Sequence, residues 1–500
     1  MTIILDKTLT IEEAMKIIRF NEKLEFSEGA KKRVSASRDC IERAVDLNIP
    51  MYGVTTGLGS NSTKNISREE TKIYQEKILK SHAVSVGTPI KKEEVRAIML
   101  MVILNGIKGY SGVSLETLNC YRRALNEDLY IYVPGSGSVG YLSLEAHIAL
   151  SLSGKGKILE NNIWEPSKEI LNRHNIDLLD LSYKEALFLI SGTTSVTAFA
   201  IIGIYDMENL LKNFELISAM EIEVNGATTR AFDKRLMSVR KQPEQQEVAE
   251  KIVGYLEDSE ICEKYYYENL QDALSLRCIP QLIGPVKKKI MEAKTTILNE
   301  MNSCTDNPII YQEDGGVEVI SGCNPDSSYV GLEMDCCGIA LCMLAKMSDR
   351  RTFRLLDEKL SGKPAFLVRD SGSNSGLMIT QYTQAGLLNE MKMLATPSVI
   401  DNIPTCANQE DYVAMGFNSS KKNAKLVENL TYIMAIELLA VFQGNEYMDK
   451  NLKKSSVTAK IYNYLSDIIP LLDEDIELYP IIENLYEIIK TEKLIELVKN

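Results

Sequence analysis

The residues best suited to do chemistry stand in short polar strings. Tyr52-Gly-Val-Thr-Thr-Gly-Leu-Gly59 puts a phenol on a loop whose three glycines permit positive φ or close backbone approach. A tyrosine serves as a base only where its pKa falls well below the usual value of about 10; taken alone, the string reads as a structural turn. No GK[ST] follows and the string itself does not read GxGxxG, so it is not a phosphate cradle. Gln75-Glu-Lys-Ile-Leu-Lys-Ser-His82 ends on a histidine that by itself reads as a hydrogen-bonded structural residue. Arg277, in Gln271-Asp-Ala-Leu-Ser-Leu-Arg277, suits two-pronged capture of a carboxylate, or an ion pair with a local acid. Glu410, in Asn408-Gln-Glu-Asp-Tyr412, is a catalytic acid or base, or a surface carboxylate. Asn302-Ser-Cys-Thr-Asp-Asn-Pro308 and Gly372-Ser-Asn-Ser-Gly-Leu-Met378 complete the set.

Helices must position these loops. Thr10-Ile-Glu-Glu13 predicts a capping box that opens a helix. Apolar residues recur at three- and four-residue spacing near 89–106, 111–126, 143–153, 329–348, 376–395 and 420–443. Ile309-Ile310-Tyr311 and Val317-Glu318-Val319-Ile320, parted by EDGG, predict a small hairpin. The organisation read from this pattern is a loop-rich N-terminal helical domain over 1–200, a long-helix bundle over 201–445, and a charged amphipathic tail over 446–500.

Composition narrows the function. The chain has 500 residues and a net charge of −13, so nucleic acid and anionic membrane are poor partners. Three histidines cannot build a histidine-rich metal site, and no metal is expected. The ten cysteines show no CxxC spacing and read as reduced thiols, which implies the cytoplasm. The uncharged run Ala186 to Tyr205 is interrupted by SGTTS and reads as a buried core helix, not a membrane span.

In order and spacing, YGVTTGLG, SHAVSVG, GYSGV, GSVG, SLRCIPQ, NSCTDNP, LSGKPAFLVRDSGSNSGLMITQYTQA and ANQEDYVAMG resemble the histidine and aromatic amino acid ammonia-lyase family, over roughly residues 10–450. ANQED with SLRC is similar to the histidine branch. The resemblance implies an all-α fold with a long antiparallel helical bundle, and a homotetramer with active sites shared between subunits. It implies Tyr52 as base, Arg277 as carboxylate anchor, and Gln271, Asn374, Gln409 and Glu410 as polar pocket lining, with His82 at a matching position.

The same resemblance implies an electrophile, methylidene-imidazolone, condensed from an Ala-Ser-Gly tripeptide after GSVG. Here Gly137-Ser-Val-Gly140 is followed by Tyr141-Leu-Ser-Leu-Glu-Ala-His147, and no ASG occurs anywhere in the chain. Ser191 and Leu274 replace a family Asn and Tyr, Lys77 replaces an Asn, and Pro325-Asp326 stand where an aromatic and a polar residue are usual. The expectation is therefore that no such cofactor forms. A positioned base supplies only about 10²–10⁴-fold, so ordinary ammonia elimination is expected to be lost. The function expected is a lyase, isomerase or cyclase in which Tyr52 moves a proton on a carbonyl, thioester or polyene substrate. Two alternatives stand beside it: a catalytically silent small-molecule-binding or partner-subunit relative, and a conventional histidine-type ammonia lyase. Candidate catalytic residues are Tyr52, Tyr141 and Glu410; candidate substrate-binding residues are His82, Ser191, Gln271, Arg277, Asn374 and Gln409. Tyr141 is a new acid/base partner or, preferably, a plug for the lost volume.

Overall fold

Local rules and burial together set the first elements. The Ile11–Ile18 helix opens on Thr10, whose side chain accepts from Glu13 N at 3.1 Å while Glu13 Oε2 accepts from Thr10 N at 2.9 Å. The capping box read from sequence is therefore present. Each predicted periodic segment is helical: Lys92–Gly106, Leu115–Asn126, Ser143–Leu152, Ser328–Leu356, Met378–Leu394 and Gly416–Gly444. Ile309–Glu313 pairs antiparallel with Gly316–Ile320, Ile309 facing Ile320. The computed structural model describes the whole chain apart from residues 1, 48, 62, 65, 67–69, 314, 315 and 500, so two residues of the expected EDGG turn lie outside the described residues.

The chain packs as two compact units, each drawn from three segments. One unit holds Met1–Tyr205, Ala293–Asp335 and Pro397–Lys421; the other holds Asp206–Glu292, Cys336–Thr396 and Lys422–Asn500. The first carries all the described strands, in four small sheets: Thr2–Leu5 parallel to Lys23–Phe26, Val86–Pro89 against Pro134–Ser136, a three-stranded sheet of Tyr130–Ile131, Lys157–Glu160 and Ile163–Pro166, and the hairpin. Its core is the Lys92–Gly106 helix, buried from Glu94 to Gly106. Arg96 on that helix is 2% exposed, yet it donates to Ile18 O at 2.9 Å, Leu125 O at 2.8 Å and Asp128 Oδ1 at 3.0 Å. It thus caps the carboxyl ends of two neighbouring helices with a buried cation.

The second unit is built on long helices. At its centre Arg351 donates to Glu437 Oε1 at 2.5 Å and to Ser218 Oγ at 2.7 Å, and its guanidinium lies 4.5 Å from the Phe214 ring centroid. Burial, with Glu437 close by, pushes the Glu221 carboxyl well above its ordinary range. A neutral Glu221 spares this cluster a second buried negative charge.

The apolar run at 186–205 is broken where the sequence has Ser-Gly-Thr. Glu185–Ile190 forms one helix, Ser191 is extended, Gly192 has φ +98°, and Thr194–Val224 forms the next helix. A Cβ on Gly192 would lie 2.8 Å from Thr305 Oγ1, so only glycine passes between these walls. Glu185–Val224 and Gly416–Tyr447 are long and apolar enough to cross a membrane, but their most apolar windows are 100% and 83% buried within this fold, as core helices are.

Just before the break, Lys184 takes φ +66° and pairs with Asp306, both side chains fully buried. Removing one partner leaves a charge in the interior. Lys184→Met is expected to cost about 3–5 kcal/mol in denaturant unfolding, and Lys184→Met with Asp306→Leu to cost less than the single change.

Candidate active site

The first unit folds around a cavity of about 1130 Å³. Its walls come from the loop 52–66, the Thr71–His82 helix, the turn 139–142 with Ser191, the loop 322–326 and the loop 405–414. The helix wall is tied down by Gln75, a fully buried side chain whose Oε1 accepts from Ala186 N at 2.9 Å. The 405–414 loop is held by Thr405 N donating to Glu410 O at 2.8 Å. Between them Cys406, Ala407 and Asn408 all have positive φ, a left-handed turn that non-glycine residues adopt only under constraint.

Tyr52, Tyr141, Glu410, His82 and Ser191 all line this cavity. Tyr52 Oη accepts from Gly59 N at 2.8 Å, so the glycine-rich loop folds back on its own phenol. Burial raises the Tyr52 pKa above its ordinary value; Glu410 and Cys406 add to this and the Gly59 N–H opposes it. The depressed pKa that a tyrosine base requires is therefore not met in the free protein. Tyr141 is pushed up to about 12, by burial first and then by Glu410, Cys323, Asp326 and Tyr52. At neutral pH it is a proton donor, not a base. Glu410 Oε2 is buried with no hydrogen-bond partner among the described residues. His82 Nδ1 lies 2.8 Å from Ile78 O, and a carbonyl only accepts, so Nδ1 carries the proton.

Four candidates stand elsewhere. Gln409 follows the left-handed turn in a right-handed conformation, φ −69°, and is not part of the lining; its N–H donates to Cys406 O at 3.1 Å. Gln271, Arg277 and Asn374 belong to the second unit. Gln271, with its amide oxygen toward Arg277, accepts from Nη2 at 3.1 Å. Asn374 Oδ1 accepts from Asp475 N at 2.9 Å, and its Nδ2 donates to Asp370 O at 3.2 Å, so here it ties a loop. The sequence reading missed Tyr74, Cys323, Cys406 and Tyr412, which also line the cavity. Tyr74, Ile78 and Ser81 share one face of the helix ending at His82, and that spacing could have found Tyr74.

The turn after Gly140 is unusual. Gly140 has φ +144°, and a Cβ there would lie 3.0 Å from Ser327 Oγ. Leu142 adopts φ +79°, ψ −67°, and Ser143 N donates to Tyr141 O at 3.1 Å. These angles describe the strained, positive-φ γ-turn. Leu142 N is held by Ile190 O at 3.0 Å, beside the break in the buried helix. No serine–glycine pair stands in this turn, so its residues do not fit the ring that the resemblance implies.

The chain matches the family described as aromatic amino acid lyase over residues 9–467. It is 37% identical over 494 residues to the histidine ammonia-lyase of Caldanaerobacter subterraneus, covering 98% of this chain and 97% of that one. Among solved structures, the histidine ammonia-lyase of Trypanosoma cruzi superposes with a TM-score of 0.93 at 31% identity, covering 100% of this chain and 95% of that one. The ergothioneine-degrading enzyme ergothionase of Treponema denticola, solved with desmethyl-ergothioneine sulfonic acid, superposes with a TM-score of 0.91 at 25% identity, covering 99% of both. These matches overturn the expected lyase, isomerase or cyclase acting on a carbonyl, thioester or polyene. Similarity to histidine ammonia-lyases runs almost end to end, and the tripeptide gap does not outweigh it.

Gly59 offers a direct test of the loop. It has φ +53°, and a Cβ there would fall 2.2 Å from Cys406 Sγ. Gly59→Ala is expected to destabilise the protein by about 1–2 kcal/mol through backbone conformation alone. Gly59→Ala with Cys406→Ala should recover the part due to the clash, as thermal melts would report.

Proposed function

Because this chain belongs to the aromatic amino acid lyase family, we propose that it is a histidine-type lyase. It breaks the Cα–N bond of an imidazole-bearing amino acid and releases a conjugated acrylate. One observation of geometry carries the reading: Tyr52 and Glu410, from strings far apart in sequence, line one cavity beside His82. The similarity to histidine ammonia-lyases supports the imidazole side chain, and the likeness to an enzyme that degrades ergothioneine, itself an imidazole amino acid, supports it further.

In this reading Tyr52, once ionised, removes the proton from Cβ. Tyr141 stays protonated and donates toward developing negative charge. Glu410 faces the cationic nitrogen, and Ser191 and His82 shape the pocket. The electrophile condensed from Ala-Ser-Gly is absent, which the serine–glycine-free turn at 140–143 supports. The protein works in the cytoplasm.

A homotetramer completes the site: neighbouring copies bring Gln271, Arg277 and Asn374 to each cavity, with Arg277 on the substrate carboxylate. Support for assembly comes from the second unit, whose long helices leave Ile379 and Tyr382 56% and 68% exposed and Met393 64% exposed. Light scattering is expected to give a mass of four chains, and Tyr382→Arg with Ile379→Glu to lower it.

The reaction is tested by mixing the purified protein with imidazole, phenyl and phenol amino acids, each as the free amine and as its N-methylated forms. An ultraviolet-absorbing acrylate is expected from imidazole compounds only; turnover of the phenyl or phenol series instead would overturn the reading. Tyr52→Phe is expected to lower turnover by about 10²–10⁴-fold. The active form of Tyr52 is the phenolate, and its pKa is raised, so the phenolate fraction grows as pH climbs. Accordingly kcat/KM, which reports the free enzyme, should rise steadily from pH 7 toward 10. A flat profile would remove Tyr52 from the base's role.

A further inference from the structure

We propose that Asp475 is a positioning residue: the segment 470–475 is a strap that holds the 369–376 loop and orients Asn374. The inference rests on the reading above that Asn374 completes a neighbouring copy's site. It concerns a part of the chain beyond residue 467, where the match to the lyase family ends.

The loop has little to hold it from within. It reads Arg369-Asp-Ser-Gly-Ser-Asn-Ser-Gly376, and glycine gives such a stretch wide backbone freedom that costs entropy to fix. Arg369 to Ser373 and Ser375 are exposed. The loop's own bonds run back to one residue: Asn374 N donates to Asp370 O at 3.0 Å, and Ser373 Oγ donates to Asp370 Oδ2 at 2.6 Å. They close the loop on itself without fixing it to the helices.

The strap supplies the anchor. Ser375 N donates to both carboxylate oxygens of Asp475, at 3.0 and 2.9 Å, and Gly376 N donates to its Oδ1 at 2.7 Å. In return Asp475 N donates to Asn374 Oδ1 at 2.9 Å. One residue thus binds two backbone N–H groups and one side-chain oxygen of the loop, and the bonds to its carboxylate are charge-assisted. The carboxylate also lies just ahead of the Met378–Leu394 helix, whose cap residue Leu377 makes no side-chain cap bond, and a negative charge there is favourable. A second tie, Arg369 Nε to Asp473 Oδ1 at 3.4 Å, is exposed and adds little.

The strap is itself bolted down. Gln443, 2% exposed, accepts from Leu472 N at 3.1 Å through Oε1 and donates to Pro470 O at 2.9 Å through Nε2. Leu472 is buried, three residues before Asp475. Asn374 is therefore referenced to the long Gly416–Gly444 helix and not only to its own loop. The bonds have a chemical consequence. With Oδ1 occupied, the atom Asn374 can turn to a ligand is Nδ2, a donor suited to an anionic group. The Nδ2 contacts within the loop, to Asp370 O at 3.2 Å and Ser373 Oγ at 3.3 Å, are long and at the surface, so a ligand can replace them. Without the strap the amide is free to rotate and show its oxygen instead.

The test uses the full-length protein, an imidazole amino acid as substrate, and hydrogen exchange of the peptide that spans the loop. Asp475→Ala is expected to raise KM about 10-fold while kcat stays within about 3-fold, since Asp475 touches no reacting atom. Asp475→Asn, which keeps an acceptor oxygen, should recover part of that loss. Exchange at Ser375 and Gly376 should quicken at least about 10-fold in Asp475→Ala. Asn374→Ala should raise KM to a similar degree, and the double variant should add nothing further, the mark of one residue acting through another. Additive effects on KM, or quickened exchange with a normal KM in Asp475→Ala, would overturn the positioning role; unchanged exchange would overturn the strap. A normal KM in Asn374→Ala would overturn the shared-site reading and the inference with it, and that failure is told apart because exchange reports on the strap with no substrate present.

Discussion

A helix that begins inside a protein core must find partners for its first N–H groups. The rest of this site depends on how that demand is met at Ser191-Gly192-Thr193. Glu145 Oε1 accepts from Ser195 N at 2.9 Å and from Thr194 Oγ1 at 2.8 Å. Thr305 Oγ1 accepts from Thr193 N at 3.2 Å, and Thr305 N donates to Asn105 Oδ1 at 3.0 Å. Thr193 Oγ1 in turn donates to Glu300 at 2.6 Å. These bonds fix the break, the break presents Ser191 to the cavity, and Ile190 O holds the turn that carries Tyr141. Loss of Glu145 would therefore reach the cavity through backbone position alone.

The cavity built on this break is lined by phenols and constrained loops. Burial raises the pKa of Tyr52 and Tyr141 and Glu410 adds to it, Glu410 Oε2 has no hydrogen-bond partner among the described residues, and the loops hold strained positive-φ residues at Leu142 and at Cys406 to Asn408. Such strain persists because the surrounding hydrogen bonds over-determine the backbone.

The helices were legible because burial imposes a period on the sequence, and the capping box because Thr10 and Glu13 carry both halves of it. The small hairpin was legible from alternation flanking EDGG. The helix break was only half legible: the SGTT string marked an interruption, but Gly192 is required by Thr305 and Asn105, which lie far away in sequence. Of the candidate residues, Tyr52, His82, Tyr141, Ser191 and Glu410 converge because motif order reflects the loops that meet. Gln271, Arg277 and Asn374 fall in the other unit, and nothing local in their strings tells which packing unit a loop joins. The function read from the missing tripeptide went astray because it weighed one gap above the similarity of the whole chain.

The threading of the two units bears on how the polypeptide is made. Tyr52 emerges early from the ribosome, yet the loop bearing Glu410 belongs to the third segment of the same unit, Pro397–Lys421. More than three hundred residues must be synthesised between them. The nascent N-terminal segment cannot close its own pocket, and contacts of such separation carry a heavy loop-closure cost before they reward it. Late assembly of this kind leaves the apolar walls of the N-terminal segment uncovered until the third segment has been made.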